Sequence, residues 1–386
     1  MPLALGAEIC YCAKYLGFLV GPEAKGRAWD APCRKLLKRA RYIRTLGLSL
    51  NEAILAFCVF AFSVIRYTLQ LVPLSPVLIW NFGLALDICT STPRYSLGTS
   101  VLCSLRRLGM PIEVPDLPST SRATMFRTAA ASGVLDRVAR EVCEVRESDE
   151  AVLHPRHSTW LGESTVYTLV RNKEELAAIP GVSDLLGRRV QWGVMKILRG
   201  GISAECLIDT ISRRLQYFGI GSSRAKAEIF IFNMNLISSF IKPFVAANMI
   251  KTVCNAHPTA RRFPNGGSHS SCRFGCYAVG GDSVLHYPFC PVVSEFVSET
   301  VGVGRIQDVL WIANFFISHF FLLERVHIGD MVRTALFCDI FSHSFNSRRA
   351  SATTATSHDT MRARRRVLYT RIPCARRALE GDLRFS

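Results

Sequence analysis

Three cysteines and one histidine form the sharpest chemical pattern in the chain: Cys272-x3-Cys276-x9-His286-x3-Cys290. Two close pairs of thiolate or imidazole ligands suit a tetrahedral zinc ion. With all four positions taken by protein, no site is left for a reacting water, so the expected role is structural, one zinc per chain. Gly275 and the pair Gly280-Gly281 leave the backbone free to turn between the ligand pairs. His269 is a substitute ligand by position. Arg261, Arg262 and Arg273 lie in and before the pattern, where an ordered loop would present them to an anion.

A second pattern is electrostatic. The 386-residue chain carries 47 Lys+Arg against 30 Asp+Glu, a formal net charge of +17. A surplus of that size repels itself in the compact state and points to a polyanionic partner, nucleic acid before anionic membrane. The charge is densest at Arg34, Lys35, Lys38, Arg39, Arg41 and Arg44. These six surround Leu36, Ala40 and Ile43, which recur at helical i, i+4, i+7 spacing. The segment therefore reads as an amphipathic helix with one face for a core and one for phosphates. Phosphate contacts of this kind position a nucleic acid without reading its sequence. No small-molecule substrate is implied, because neither Gly200-Gly201 nor Gly280-Gly281 sits in a phosphate-loop or dinucleotide fingerprint. The 14 cysteines are irregularly spaced, which fits a reducing compartment, nuclear or cytoplasmic, better than a disulfide scaffold. No secretory leader is read at the N-terminus.

These groups must be positioned by helices. Residues 14–22 read as extended chain punctuated by Gly17, Gly21 and Pro22. A helix is predicted from Asp30, with Pro32 in its first turn and Gly47 past its end. Ser49-Leu50-Asn51-Glu52 has the form of a capping box and predicts a second helix running on through Ile54 to Leu71. Further helices are expected around Leu97 to Leu108, from a Ser119-Thr120-Ser121 cap to about Val145, over 173–178, 184–198 and 204–217, and from Ser223 to Cys254 with a kink at Pro243. A last helical block is expected over 305–341. The apolar stretches from Ala53 to Ile65 and from Val309 to Leu323 fall short of the roughly 18–20 clean apolar residues of a span, so both read as core helices.

The residues from Arg261 through Cys272-Arg273-Phe274-Gly275-Cys276, Gly281-Asp282-Ser283-Val284-Leu285-His286-Tyr287 and Cys290-Pro291 resemble the CCHC segment near the C-terminus of non-LTR (LINE-type) retrotransposon reverse transcriptases. Lys14-Tyr15-Leu16-Gly17 resembles the block in that family's primer-grip hairpin. The stretch from Trp29 to Leu71 resembles its thumb, and 93–127, with Leu105-Arg106-Arg107-Leu108-Gly109, its connector. The resemblance implies template–primer gripping of RNA or DNA, above all an RNA–DNA duplex, beside a palm-bearing polymerase chain. The family's palm aspartates hold two metal ions, and such chemistry needs clustered carboxylates. No (Phe/Tyr)-x-Asp-Asp turn occurs here, and Phe337-Cys338-Asp339 lacks the second aspartate. The palm is therefore expected to be missing, and no catalytic residue is assigned.

The expected fold is mainly α: a helical thumb-like domain, a helical C-terminal scaffold carrying a small CCHC zinc finger, and a disordered basic tail. The expected divisions are a hairpin at 1–28, thumb and connector at 29–145, a linker at 146–165, helices at 166–255, the finger at 256–300, helices at 301–345 and an Arg-rich tail at 346–386. The expected function is non-catalytic nucleic-acid binding. The alternatives are a decayed open reading frame without selected activity, or a membrane-associated helical protein.

Overall fold

The burial pattern of the basic segment sets its conformation first. In the computed structural model, Asp30–Thr45 is one helix with Cys33, Leu36, Ala40 and Ile43 buried along a single stripe. The structure describes residues 12–15, 18–20, 24–131, 165–182, 190–217 and 223–259, together with 272, 274–276, 282–283, 286–287, 290–293, 295, 331–332, 335–336 and 338–343. The expected linker at 146–165 (all but Thr165, which begins a helix), the tail at 346–386 and most of the expected block at 305–341 lie outside them. Among the described residues 69% are helical and 2% are strand, which makes the fold mainly α.

The chain divides into two units. The first comprises 1–45, 56–86 and 115–202. Its hairpin pairs β1 (Ala13–Tyr15) antiparallel with β2 (Phe18–Val20), Tyr15 opposite Phe18. Helix α1 (Ala24–Arg27) leads into α2 (Asp30–Thr45). The chain then passes through α3 (Leu50–Ala56), a π-helical turn (Phe57–Ala61) and α4 (Ser63–Thr68). Glu52 caps the start of α3, accepting from the Ser49 backbone N–H at 2.9 Å and from its hydroxyl at 2.7 Å.

The π turn is a departure from the single α-helix expected to Leu71, and the apolar spacing explains it. Ala53, Phe57, Ala61, Ile65 and Leu69 are all buried and recur every four residues. An α-helix turns once in 3.6 residues, so a stripe of period four drifts about 40° per step. The wider turn, closed by a 2.8 Å bond from Phe62 N–H to the Phe57 carbonyl, takes up the excess. The run Leu50–Thr68 is then long and apolar enough to cross a membrane by length and composition. Its Phe57 and Phe62 nevertheless meet Phe82 edge-on at centroid distances of 5.6 and 5.9 Å. Phe82 belongs to α5 (Pro76–Cys89), a helix the sequence reading passed over. Its signal was present: Ser75 accepts from Leu78 N–H at 3.1 Å, and Pro76 occupies the first helical position.

Helix α7 (Leu117–Ala131) corrects another expectation; α6 (Thr99–Leu102) precedes it. The cap is Asp116, whose carboxylate accepts from Ser119 N–H at 2.9 Å, while Ser119, Thr120 and Ser121 are buried inside the first turns. Carboxylates outperform a buried hydroxyl here because the orphan N–H groups and the helix dipole favour negative charge. α7 packs with α8 (Thr165–Ala177), joined by Asn172 donating to the Arg122 carbonyl at 2.9 Å.

The second unit comprises 46–55, 87–114 and 203–386. α9 (Val190–Tyr217) is one helix where two were expected, running unbroken through Gly200-Gly201, with 190–202 counted in the first unit and 203–217 in the second. α10 (Arg224–Ile237) and α11 (Pro243–Val253) are two helices where one kinked helix was expected. Pro243 starts the second instead of bending the first, which removes the clash a mid-helix proline would make. A 3-10 turn (Leu105–Leu108) ends at Gly109, φ +78°, and lies against α10. A Cβ on Gly109 would stand 2.2 Å from the Ser238 Cβ. Gly109→Ala combines that overlap with left-handed strain and is expected to cost about 2–4 kcal/mol, read as a lowered urea midpoint at unchanged slope.

Candidate metal centre

The four expected ligands converge. The Sγ atoms of Cys272, Cys276 and Cys290 and a ring nitrogen of His286 all lie within 4.8 Å of one another, close enough to hold one metal ion. Among the described residues no comparable group built from three or more carboxylates occurs. Cys272 and Cys290 are buried, and Cys276 and His286 are half-buried.

Local turns bring the ligands together. Gly275 N–H donates to the Cys272 carbonyl at 3.0 Å, and Gly275 takes φ +85°, a conformation that side chains resist. Phe274 N–H donates to the Cys272 sulfur at 3.4 Å. On the second arm Ser283 acts as a cap: its hydroxyl accepts from His286 N–H at 3.2 Å, and its carbonyl accepts from His286 and Tyr287 N–H. Cys290 N–H then closes onto the Tyr287 carbonyl at 3.2 Å.

Cys276 Sγ and His286 Nε2 are 3.1 Å apart, and Cys272 Sγ and Cys290 Sγ 3.6 Å. The Cys272 and Cys290 sulfurs share a hydrogen bond in which either thiol can donate. That bond lowers the pKa of one thiol of the pair, Cys272, and raises that of the other, Cys290, whose burial raises it further. A cation held here would bind the sulfurs as thiolates and displace their protons.

Behind the ligands lies an aromatic cluster. Phe341 packs on Phe274 at 5.6 Å, on Tyr287 at 5.1 Å and edge-on against His257 at 5.3 Å. Phe274 and Tyr287 are mutually perpendicular at 5.2 Å. The Tyr287 hydroxyl donates to the buried Asp282 carboxylate. His257 is buried, and desolvation aided by the Lys251 charge pushes its pKa down to about 3, so the ring is neutral; its Nε2 is 3.0 Å from the Thr252 hydroxyl. Asp339 is buried and accepts from the Asn248 side-chain amide at 2.7 Å, and Ser342 donates to the Asn248 Oδ1 at 3.0 Å. Sequence reasoning had no role for His257, Asn248 or Phe341, which are distant from the ligands along the chain. Asp282 and Tyr287, standing between two ligands, were the legible signal.

The basic residues divide. Arg34, Lys35, Lys38, Arg41 and Arg44 are exposed on α2. Arg39 is half-buried and already engaged: its guanidinium sits 4.3 Å from the Phe60 ring centroid and donates to the Phe60 carbonyl and, at 3.2 Å, to the Ser63 hydroxyl. Both partners come from the stretch the π turn displaces, which no α-helical reading would place there. Arg261, Arg262, Arg273 and His269 lie outside the described residues. No protein-family model, curated protein or solved structure matches the chain.

Phe341→Ala removes the ring shared by Phe274, Tyr287 and His257, the last of these lying four residues past the end of α11. It is expected to lower the unfolding free energy by about 3–5 kcal/mol, measured by urea denaturation.

Proposed function

We propose that the chain grips a nucleic-acid backbone, RNA–DNA hybrid above all, and that one structural zinc ion holds the segment carrying Arg261, Arg262 and Arg273 in shape for that contact. The convergence of Cys272, Cys276, His286 and Cys290 carries this reading. Four ligands of those types are the donor set of closed zinc sites. The 3.6 Å between Cys272 and Cys290 is near the roughly 3.8 Å edge of a tetrahedron with 2.3 Å zinc–sulfur bonds. The hydrogen bond from Phe274 N–H to Cys272 sulfur supports the same reading, since an outer bond of this kind orients a ligand and tempers its charge.

The exposed cations of α2 supply the grip. Asp30 is the sole acid in that helix, so nothing along it offsets the positive face. The resemblance to the thumb and CCHC segment of non-LTR reverse transcriptases supports the same assignment, and with it a palm-bearing polymerase chain as partner. The role proposed for these residues is binding, not catalysis: the group that gathers is sulfur and imidazole, with no carboxylate pair to clamp attacking and leaving oxygens.

Purified full-length protein is expected to hold one zinc per chain, and Cys276→Ser to lose it. Binding to a labelled RNA–DNA hybrid should fall with salt at a log–log slope of roughly −4 if all five exposed cations of α2 neutralise phosphates. The double change Lys38→Ala, Arg41→Ala should flatten that slope by about 2. A metal-free wild type with a slope near zero would sink the proposal.

A further inference from the structure

Within the first unit, the exposed face of α2 is not purely charged. Lys35, Lys38 and Tyr42 fall at i, i+3 and i+7, one row along the helix. Tyr42 is 57% exposed. Its ring meets the edge of Phe60, itself 40% exposed, at a centroid distance of 6.1 Å and an interplanar angle of 61°. Arg39 covers one face of Phe60 and is fastened to the Phe60 carbonyl and Ser63. Val59, beside Phe60 on the π turn, is 68% exposed. The π turn therefore brings a ring to solvent that a regular stripe would carry elsewhere, and Arg39 fixes its orientation. Two large rings held at the surface gain nothing for the core. π turns recur at functional sites.

We infer that Tyr42 and Phe60 form a stacking platform for an unpaired nucleobase, with Lys38 and Lys35 taking the phosphates of the same strand. The inference rests on the nucleic-acid reading above and specifies its ligand as a single strand leaving the hybrid. Three observations select that occupant. The row is cationic and α2 carries no acid past Asp30 in its first turn, which suits a polyanion and disfavours a second copy of this basic chain. The aromatic ring sits one helical turn from Lys38, about 6 Å along the axis, so a base on the ring leaves its phosphate within reach of the ammonium. Base faces are available only where the strand is unpaired, because a duplex hides them in its stack. Stacking of this kind tolerates any base, as every base has a π face. Arg39 is excluded from the phosphate contacts by its own bonds and acts by positioning Phe60.

The test compares a blunt RNA–DNA hybrid with the same hybrid carrying a short single-stranded uridine overhang, by fluorescence anisotropy on the full chain over a series of salt concentrations, the two probes matched at each. The overhang is expected to tighten binding about tenfold. Tyr42→Leu, which keeps an apolar side chain but no ring, should bring the overhang-to-blunt ratio to about one, while Tyr42→Phe keeps the gain. Arg39→Gln should weaken the gain with the salt slope unchanged, since no phosphate contact is lost. A wild-type ratio near one, or a gain that survives Tyr42→Leu, overturns the platform. Blunt-hybrid binding that persists with a steep salt slope in that case leaves the proposed function standing. Failure of the wild type to bind either probe overturns both, and capture of a protein or of lipid vesicles at this face instead does so too.

Discussion

Among its described residues, the segment that holds the four ligands is built from turns and pairs in no strand. Its shape depends on four side chains meeting at one point and on the aromatic cluster behind them. A turn-rich stretch of this kind loses much conformational entropy on ordering and has little regular hydrogen bonding to offset it. Cys272 and Cys276 stand on one arm, His286 and Cys290 on the other, so any bond among them closes a loop. Phe274 and Tyr287, one from each arm, then stack on Phe341. The ligands and the rings thus join the same two arms, and Cys272 and Cys290 are the buried pair of the four.

The same logic of opposed requirements governs the basic helix. Like charges crowded on one helix repel, so α2 persists only because Cys33, Leu36, Ala40 and Ile43 bury a continuous stripe on the other side. One cation is withdrawn from that crowd. Arg39 spends its charge on a carbonyl, a hydroxyl and a ring of the π turn, whereas the other five remain in water. The π turn in turn exists because a stripe of period four does not fit a helix of period 3.6. An irregularity in packing thus determines which basic residue is structural and which ring reaches solvent.

Helix termini show how close calls between neighbouring signals are settled. Asp116 and the Ser119-Thr120-Ser121 run both offer caps, and the carboxylate takes the position while the hydroxyls enter the helix and are buried. Pro243 offers either a kink or a start, and the start avoids losing a hydrogen bond. In each case the chain offers two local solutions, and the one that satisfies more backbone hydrogen-bonding groups is taken.

The sequence alone determined what depends on neighbours along the chain. The helical class, the amphipathic stripe of α2, the capping of α3 by Glu52 and the four ligands were legible because their partners lie within about a dozen residues or repeat with a fixed period. What depends on distant partners was not legible. The joining of His257, Phe274, Tyr287 and Phe341, the withdrawal of Arg39 onto Phe60, and the need for glycine at Gly109 against Ser238 all follow from contacts across long stretches of chain. The tertiary structure decided these, because packing couples residues by distance in space and carries no periodic trace in the order of the amino acids.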